Sequence, residues 1–533
     1  MEPELRLEQT PHGTQVYYRG RALYGPNPEA DAGRRAGATT IPPDTLVLWL
    51  SPLVWHGWRE LAAAAAGSTR IVAIEADPIL FELASRTRPT ELGGRFALVR
   101  ATASEVLAEL RRDGEHRFRR VVEITTSGAS LAHRTTYRSV RDLARREIRV
   151  FWQNRLTLSA MGRLWIRNLV ENIPLLRQTR ALPSLAGPVL VCGAGPSLEA
   201  ALPAIAAHRD QLRVLAVDTA VPILDAVGIR PDVVLALEGQ LLNAYDFLPV
   251  SRRDYLLVTD LTSDPTTARA HDRRSMTLTG FAPVRLLDRA AVLPGVCTTM
   301  PALGSVGVAA FNLATLLGAR PIILSGLDFA VLPGATHARG APAFLNAFAR
   351  TDRFHRPVDP ALSARMIRLP GARATVASTL VLKGYADELA SLVADQDDVF
   401  ALDPIGLNVG AIPLAASDLG ALLERGSGSG HPRKEARRGD VEHAAGGDRK
   451  EQLVGFVRRE IGLLDSIDLS DTAGIDELPP ELDYLASEIP ERIESLSAGV
   501  RLARLDRSAR ARLRVTAAYY RDRWNATLER LTR

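Results

Sequence analysis

Continuous apolar runs alternate with helix-like segments along the first 145 residues of the chain. The runs at Thr45–Leu50, Ile71–Ile74 and Val121–Ile124 are typical of strands that are buried on both faces of a parallel sheet. The segment Trp58–Ala66, between the first two runs, has the spacing of a helix. This order predicts an N-terminal α/β domain over residues 1–145, with a doubly wound sheet.

A longer helical pattern occupies the connector that we assign to residues 146–185. Apolar residues recur there at three- and four-residue spacing, at Ile148, Trp152, Leu156, Met161, Leu164 and Leu169. The pattern predicts one long helix over about residues 146–180, with a buried apolar stripe.

Five further apolar runs predict a second α/β domain over residues 186–425. Helical segments lie between most of them, which again favours a parallel sheet. The five runs are Val189–Cys192, Leu212–Val217, Val233–Leu237, Tyr255–Val258 and Pro321–Leu324.

The rest of the chain divides into a glycine-rich segment and a helical segment. Residues 426–450 are rich in glycine and charge without an apolar period, which predicts a flexible linker. Residues 451–533 are helical again, and three prolines at 479, 480 and 490 divide them into about three helices. Arginines at helical spacing between Arg501 and Arg514 predict one basic face, which is either solvated or bound to an acidic partner.

Composition and charge exclude several classes of protein. The 533 residues are 46% hydrophobic and 24% charged, as in ordinary globular proteins, and the net charge of +5 is not concentrated in a basic patch. Two cysteines cannot form a disulfide framework, and no Cys/His cluster has the spacing of a zinc site. The chain has no apolar signal segment and no apolar run of about 18 residues. We therefore expect a cytoplasmic protein with no nucleic-acid partner and no membrane insertion.

The first candidate for chemistry is the turn Gly193-Ala194-Gly195-Pro196-Ser197, between a strand and a helix. Glycines allow close backbone approach, and a helix N-terminus offers free N–H groups to a phosphate. The turn lacks the third glycine of the dinucleotide fingerprint and any Walker lysine, so a purely structural turn is the alternative.

Polar residues follow two other strands. Asp218 and Thr219 end the next predicted strand, where Asp218 either binds a ribose hydroxyl or base amine or caps the following helix. Asp328 ends the Pro321–Leu324 strand, and His337 in the loop beyond it is either an acid/base catalyst or a surface residue. Gly304 and Ser305 form another small-residue turn that enters a helix.

In this order, the motifs resemble those of the motility-associated-factor (Maf) glycosyltransferases. These are related to the 6-hydroxymethylpterin diphosphokinase-like proteins, and the same central segments are similar to bacterial sialyltransferases. The resemblance covers about residues 15–420. The segments that carry it are GAGPSL at 193–198, GSVG at 304–307, SGLDFA at 325–330 and Thr336-His337-Ala338, with LYGPNPEADAGR at 23–34 and Tyr385 in support.

The resemblance implies a fold and an activity. The fold is α/β, with a central Rossmann-like domain of the GT-A-like, sialyltransferase-like kind between the N-terminal α/β domain and the C-terminal helices. The implied donor is a CMP-activated nonulosonic acid of the pseudaminic or legionaminic type. The implied acceptors are Ser and Thr hydroxyls of flagellin, modified in the cytoplasm.

The resemblance also implies roles for residues. His337 is the first choice for the base that activates the acceptor hydroxyl, and His355 is the second. No cofactor is obligatory, and a divalent metal is optional because the phosphate monoester is a fair leaving group. At the position where the sialyltransferases carry an aromatic hydroxyl, this chain has Ala330. The implied donor-binding residues are Gly193, Ala194, Gly195, Pro196, Ser197, Asp218, Thr219, Gly304, Ser305, Asp328 and Tyr385.

Two other functions remain open, a diphosphokinase and a non-catalytic flagellin-binding scaffold. The first needs clustered carboxylates for Mg²⁺, but the matching strand end offers only Glu238. In the N-terminal domain, Leu53 and Trp55 replace a glycine-rich cofactor turn, so we expect no S-adenosylmethionine site there. Glu75 and Asp77 are then expected to be relics or surface acids. The sequence predicts no oligomeric state.

Overall fold

The computed structural model describes most of the chain. The described residues are 4–38, 40–67, 69–112, 118–280, 284–332, 335–353, 366–428, 446–467, 479–486 and 507–533. They form two compact units, one made of residues up to Ser159 and the other of residues from Ala160 onward.

The first unit contains a small antiparallel sheet and a four-stranded parallel sheet. The larger sheet has the order β6-β5-β4-β7. The chain adds β5 and β6 on one side of β4 and then returns to add β7 on the other side of β4. The strands are β1 Leu5–Thr10, β2 Gly13–Tyr18, β3 Arg21–Ala22, β4 Thr45–Leu50, β5 Arg70–Glu75, β6 Phe96–Arg100 and β7 Arg120–Thr125. The helices are α1 Pro28–Gly37, α2 Trp58–Ala64, α3 Pro78–Arg86, α4 Ala103–Arg112 and α5 Arg134–Asn172.

The long helix α5 differs from the predicted connector at both ends. It begins at Arg134 rather than at residue 146, and it ends at Asn172. A 3₁₀ turn, Ile173–Gln178, follows because Pro174 has no N–H to continue the α-helical bonding. The change from the first unit to the second falls inside α5, between residues 159 and 160.

The second unit is built on nine parallel strands, and the five predicted runs are all among them. Their order is β13-β12-β11-β10-β9-β8-β14-β17-β18. The chain therefore lays down β8 to β13 in one direction and then crosses back to place β14 on the other side of β8. The strands are β8 Gly187–Cys192, β9 Arg213–Val217, β10 Val233–Ala236, β11 Leu256–Asp260, β12 Arg274–Gly280, β13 Val296–Pro301, β14 Ala319–Ser325, β17 Val399–Leu402 and β18 Ile412–Leu414, with the separate hairpin β15 Ile367–Pro370 and β16 Thr375–Ser378.

Helices pack against this sheet and continue to the end of the chain. Apolar residues of β8, β9, β10 and β14 form one core with the buried faces of α6, α10 and α12. The helices are α6 Ser197–Ala207, α7 Val221–Ala226, α8 Pro265–Arg269, α9 Arg285–Ala291, α10 Val306–Leu316, α11 Pro342–Ala349, α12 Leu380–Ala394, α13 Leu419–Gly428, α14 Gly446–Asp465, α15 Asp483–Ala486 and α16 Arg507–Thr532.

The predicted linker is helical at both of its ends. Residues 426–428 belong to α13 and residues 446–450 to α14, while residues 429–445 lie outside the described part. After residue 451, the described residues include the rest of α14 and the helices α15 and α16. Arg501 and Arg504 of the predicted basic face also lie outside the described part. None of the helices that the structure describes is long and apolar enough to cross a membrane.

Candidate functional site

The reversal of strand order in the second unit places a crevice at the carboxyl ends of β8 and β14. In open parallel sheets, ligands bind at such a switch point. The loop after β8 is the predicted turn at 193–197, and the loop after β14, which we call the second loop, begins at Gly326 and includes Asp328 and Phe329. The fold therefore brings the two predicted motifs side by side.

The two loops are joined by four hydrogen bonds. The Gly193 N–H donates to the Ser325 carbonyl and the Gly195 N–H to the Gly326 carbonyl, both at 2.8 Å. In the reverse direction, the Gly326 N–H donates to Ser197 Oγ at 3.1 Å. The Ser197 N–H donates to Asp328 Oδ2 at 2.8 Å, so that carboxyl group occupies the N-terminus of α6.

Glycine is required for this contact. A Cβ at Gly193 would collide with the Gly326 carbonyl, and a Cβ at Gly195 would lie 2.6 Å from the same oxygen. Gly326 itself has φ +70°, which disfavours other residues. The glycines of the predicted phosphate turn thus allow one loop to pack on the other.

These bonds restrict what the turn can offer to a phosphate. The N–H groups of Gly193, Gly195 and Ser197 are already donated within the protein, and Pro196 has none. Among the described residues, only Ala194 keeps an N–H of this turn without an acceptor. Ser197 is the first residue of α6, not its cap, and its side chain is buried. Phosphate binding by this turn stays a prediction.

His337 lies beside the first loop. The Ala338 N–H donates to the Ala194 carbonyl at 2.9 Å, which fixes the histidine loop against the turn. The ring Nδ1 is 3.0 Å from Thr336 Oγ1, and the side chain is half-buried. Burial lowers the pKa of His337, so the ring is neutral at neutral pH. His355, the second predicted base, lies outside the described residues.

Asp218, at the carboxyl end of β9, is buried. Its Oδ1 accepts the Thr219 N–H at 2.8 Å and its Oδ2 accepts from the Asn243 amide. Burial, with smaller contributions from the nearby Asp246 and Glu238 charges, raises the pKa of Asp218 to about 7. Burial also raises the pKa of Asp246 to about 6.

Sequence reasoning missed Asn243 and Asp246. Both lie on a 3₁₀ turn, Leu241–Phe247, after β10. No strand-end or glycine motif marks that turn, so only the fold reveals that it faces Asp218. Asn168 on α5 also bonds to this edge of the sheet. Its amide donates to the Gly239 and Thr262 carbonyls at 2.8 and 3.0 Å.

Replacing Asp218 with asparagine is expected to change how stability depends on pH. The folded-state pKa of this acid is above its unfolded value near 3.9, so ionisation opposes folding as pH rises from about 4 to 7. The introduced amide has no such cost, and the Asn243 amide can turn its oxygen toward it. The melting temperature of D218N minus that of the wild type should rise between pH 4 and 7 and then level off. A difference that stays constant with pH would contradict the raised pKa.

The turn at Gly304 and Ser305 lies where α10 begins. Ser305 Oγ accepts the Gly307 N–H at 3.2 Å, so Ser305 caps the helix. The Gly304 N–H donates to Glu388 at 2.9 Å, and a Cβ on Gly304 would collide with the ring of Tyr385. Three predicted donor-binding residues are therefore close together, although Ser305 and Gly304 already have structural bonds.

The start of α10 also contacts the second loop, since a Cβ on Gly307 would lie 2.5 Å from Leu327 Cδ2. In that loop, Asp328 is 6% exposed and burial raises its pKa. Ala330 is buried and offers no hydroxyl. Among the described residues, no three His, Cys, Asp or Glu side chains are placed to hold a metal ion.

In the first unit, bulky residues fill the turn after β4. Leu53 and Trp55 are fully buried, and both have positive φ, of 51° and 64°. The two side chains that stand in place of a glycine-rich turn therefore fill this region themselves.

The expectation that Glu75 and Asp77 are surface acids is wrong. Glu75 is 1% exposed and accepts from Tyr137 Oη at 2.9 Å and from the Ala76 N–H at 2.8 Å. Asp77 is also buried, caps α3 and accepts from Tyr18 Oη at 2.8 Å. Both acids lie near the end of β5, where other side chains bury them. The sequence pattern alone does not reveal this burial.

Comparison with protein families and with known sequences adds three findings. The family described as 6-hydroxymethylpterin diphosphokinase MptE-like matches residues 165–334. An uncharacterised protein of Treponema pallidum (strain Nichols) is 32% identical over 417 residues, which are 75% of this chain and 73% of that protein. A second uncharacterised protein of the same organism is 34% identical over 94 residues, 16% of this chain and 45% of that protein.

A solved structure with the same fold is among the matches. The structure of a Maf glycosyltransferase from Magnetospirillum magneticum AMB-1 matches with a TM-score of 0.54 and 16% identity, over 100% of this chain and 90% of that one. The mixed α/β architecture is thus that of a Maf-like fold, and the resemblance seen in the motifs agrees with it.

Proposed function

We propose that this chain, which belongs to the family of the Treponema pallidum protein that it matches over 75% of its length, is a glycosyltransferase. It transfers a nonulosonic acid of the pseudaminic or legionaminic type from its CMP-activated form to Ser or Thr hydroxyls of flagellin, in the cytoplasm. The observation that carries the proposal is the Maf-like fold, with the resembling motifs at 193–198 and 325–330 side by side at one switch point.

The proposed reaction replaces one bond to the anomeric carbon by another. The acceptor hydroxyl oxygen forms the new bond, the bond to the CMP phosphate breaks, and CMP leaves with the electron pair. The neutral ring of His337 takes the hydroxyl proton, because burial keeps its pKa below the ordinary value near 6.5. The Ala194 N–H and the start of α10 are the groups that we assign to the departing phosphate.

Nucleotide preference tests the donor class. CMP is expected to raise the melting temperature of the purified chain, whereas AMP and S-adenosylmethionine at equal concentration should not, because only a ligand that binds the folded state stabilises it. A shift for AMP as large as that for CMP would contradict a CMP-activated donor.

The match to the MptE-like family supports a second candidate, transfer of diphosphate from ATP to 6-hydroxymethylpterin. That activity requires Mg²⁺ held by carboxylates near the phosphates. Two acids predicted at strand ends could supply such carboxylates: Glu238, which follows β10, and Asp218, which follows β9. Incubation with ATP, Mg²⁺ and 6-hydroxymethylpterin separates the candidates, because only the second consumes ATP.

A further inference from the structure

Arginines form a straight row on the N-terminal half of α5. The members of this arginine row are Arg134, Arg138, Arg141, Arg145 and Arg149. An α-helix turns by about 100° per residue, so this spacing places all of them within a stripe about 80° wide. At a rise of about 1.5 Å per residue, the stripe is about 22 Å long. The row is therefore a narrow, extended positive surface.

The core of the first unit fixes the direction in which the row points. Apolar residues of the same turns are buried in one cluster, at Tyr137, Val140, Ala144 and Ile148. The helix cannot rotate without exposing them, which would cost the free energy of their burial. Arg141 is half-buried, and the other members of the row are exposed to solvent.

Most of the charge of the row is not neutralised within the described part of the chain. Arg141 is paired, with its Nε 2.9 Å from Asp142 Oδ1 and its Nη1 3.5 Å from Glu123 Oε2. The guanidinium groups of the other members form no ion pair with a described residue. Like charges four residues apart on a helix destabilise it, so a partner that supplies negative charge is favoured there.

An ionised acid beside the row restricts the class of that partner. The hydrogen bond from Arg141, with smaller contributions from the Arg145 and Arg138 charges, lowers the pKa of the exposed Asp142. A phosphate backbone or an anionic lipid surface is negative throughout, and this carboxylate repels it. A polypeptide carries charges of both signs and can place a basic side chain opposite Asp142. The row therefore favours an acidic protein over a nucleic acid or a membrane.

The side chains around the row agree with this choice. Tyr137 is the one aromatic residue between residues 134 and 149, and it is buried, so no ring on this part of α5 can stack on a base. The large apolar residues of the same turns are buried or half-buried, so they cannot insert into a lipid surface.

The spacing of the row favours a helical partner. Successive members are about 6.0, 4.5, 6.0 and 6.0 Å apart along the helix axis. A second α-helix with carboxylates at the same sequence spacing repeats these intervals, whereas side chains on one face of a β-strand recur every 6.6 Å or so. Arginine also suits carboxylates, because its planar guanidinium can donate two parallel N–H bonds to the two oxygens.

We propose that the arginine row is the docking surface for an acidic α-helix of a partner protein, which lies along α5 with its carboxylates facing the arginines. The proposal rests on the first unit alone and goes beyond the proposed sugar transfer. Its test therefore needs neither a sugar donor nor flagellin.

Fluorescence anisotropy with a labelled peptide and the full chain tests the proposal. The probe is an alanine-rich helical peptide whose glutamates have the spacing of the arginine row. The control peptide has the same composition, with its glutamates spread around the helix. The wild type should bind the probe more tightly than the control peptide, and added salt should weaken the binding, because salt screens exposed ion pairs.

Two pairs of substitutions test the row itself. Replacing Arg138 and Arg145 together with glutamine should weaken probe binding about fivefold, because two exposed ion pairs are lost. The matched control replaces Arg21 and Arg35, which are exposed in the same unit outside the row, and should stay within about twofold of the wild type because it removes the same net charge without an ion pair to the probe. Glutamine is a good helix former, so both variants should melt near the wild-type temperature.

Three results would overturn the proposal. Equal affinity for the two peptides would mean that the attraction depends on net charge and not on the row. An equal loss in the two double variants would mean the same. If duplex DNA or vesicles of phosphatidylserine bind the wild type more tightly than the probe does, and the Arg138 and Arg145 substitutions weaken that binding, the row serves another class of partner.

Discussion

Replacing His337 with alanine is expected to lower the rate of sugar transfer by about 10²- to 10⁴-fold, the usual contribution of a general base. Donor binding should persist, because the ring bonds only to Thr336 in the described structure. In the wild type, the rate should fall as pH drops below the lowered pKa of His337, since the protonated ring cannot accept the hydroxyl proton. Initial rates of CMP release with acceptor present, measured across pH, give both results.

The matched control for this prediction is His208→Asn. His208 is also in the second unit, but it follows the C-terminal end of α6, away from Ser197 at the other end. Its replacement should leave the transfer rate within about twofold of the wild type, because such a residue touches no reacting atom. Full activity in His337→Ala, or an equal loss in both variants, would contradict the assignment of His337 as the base.

Replacing Gly326 with alanine is expected to be strongly destabilising. Its φ of +70° costs about 1 kcal/mol for a residue with a Cβ. The new Cβ would also collide with the Gly193 carbonyl, so the two loops must separate and lose their mutual bonds. Together these effects amount to about 3 kcal/mol, from backbone strain and overpacking. Urea unfolding followed by circular dichroism measures the loss.

Gly228→Ala separates strain from collision. Gly228 has φ +77°, but no described atom lies within 4 Å of the place that a Cβ would take, so the variant should lose only about 1 kcal/mol. If both variants lose the same free energy of unfolding, the close contact between the loops adds nothing and the packing account is wrong.

The sequence predicts the central strands because each is buried on both faces. Val189–Cys192 and Val233–Leu237 are continuous apolar runs, and the fold places them in β8 and β10. Strand β6, Phe96–Arg100, escapes prediction, since it lies at the sheet edge and its last residues are half-buried or exposed. The sequence predicts a helix start at residue 146, but α5 begins at Arg134. The first turns of α5 are rich in arginine, so their apolar residues do not show a clear helical spacing.

At the candidate site, the sequence identifies which residues meet but not how they bond. GAGPS and SGLDF are both recognisable as strand ends, and parallel neighbours bring such ends together. That the glycines serve the contact between loops, and that Asp328 occupies the N-terminus of α6, depends on the three-dimensional approach of the chain.

The most direct test mixes the purified chain with a CMP-activated pseudaminic or legionaminic acid and unmodified flagellin, and records the intact mass of flagellin. The account predicts an increase by one or more nonulosonic acid residues, with one CMP released for each. If the chain binds CMP but the mass of flagellin is unchanged with both donors, transfer is contradicted. The remaining function is then that of a non-catalytic scaffold.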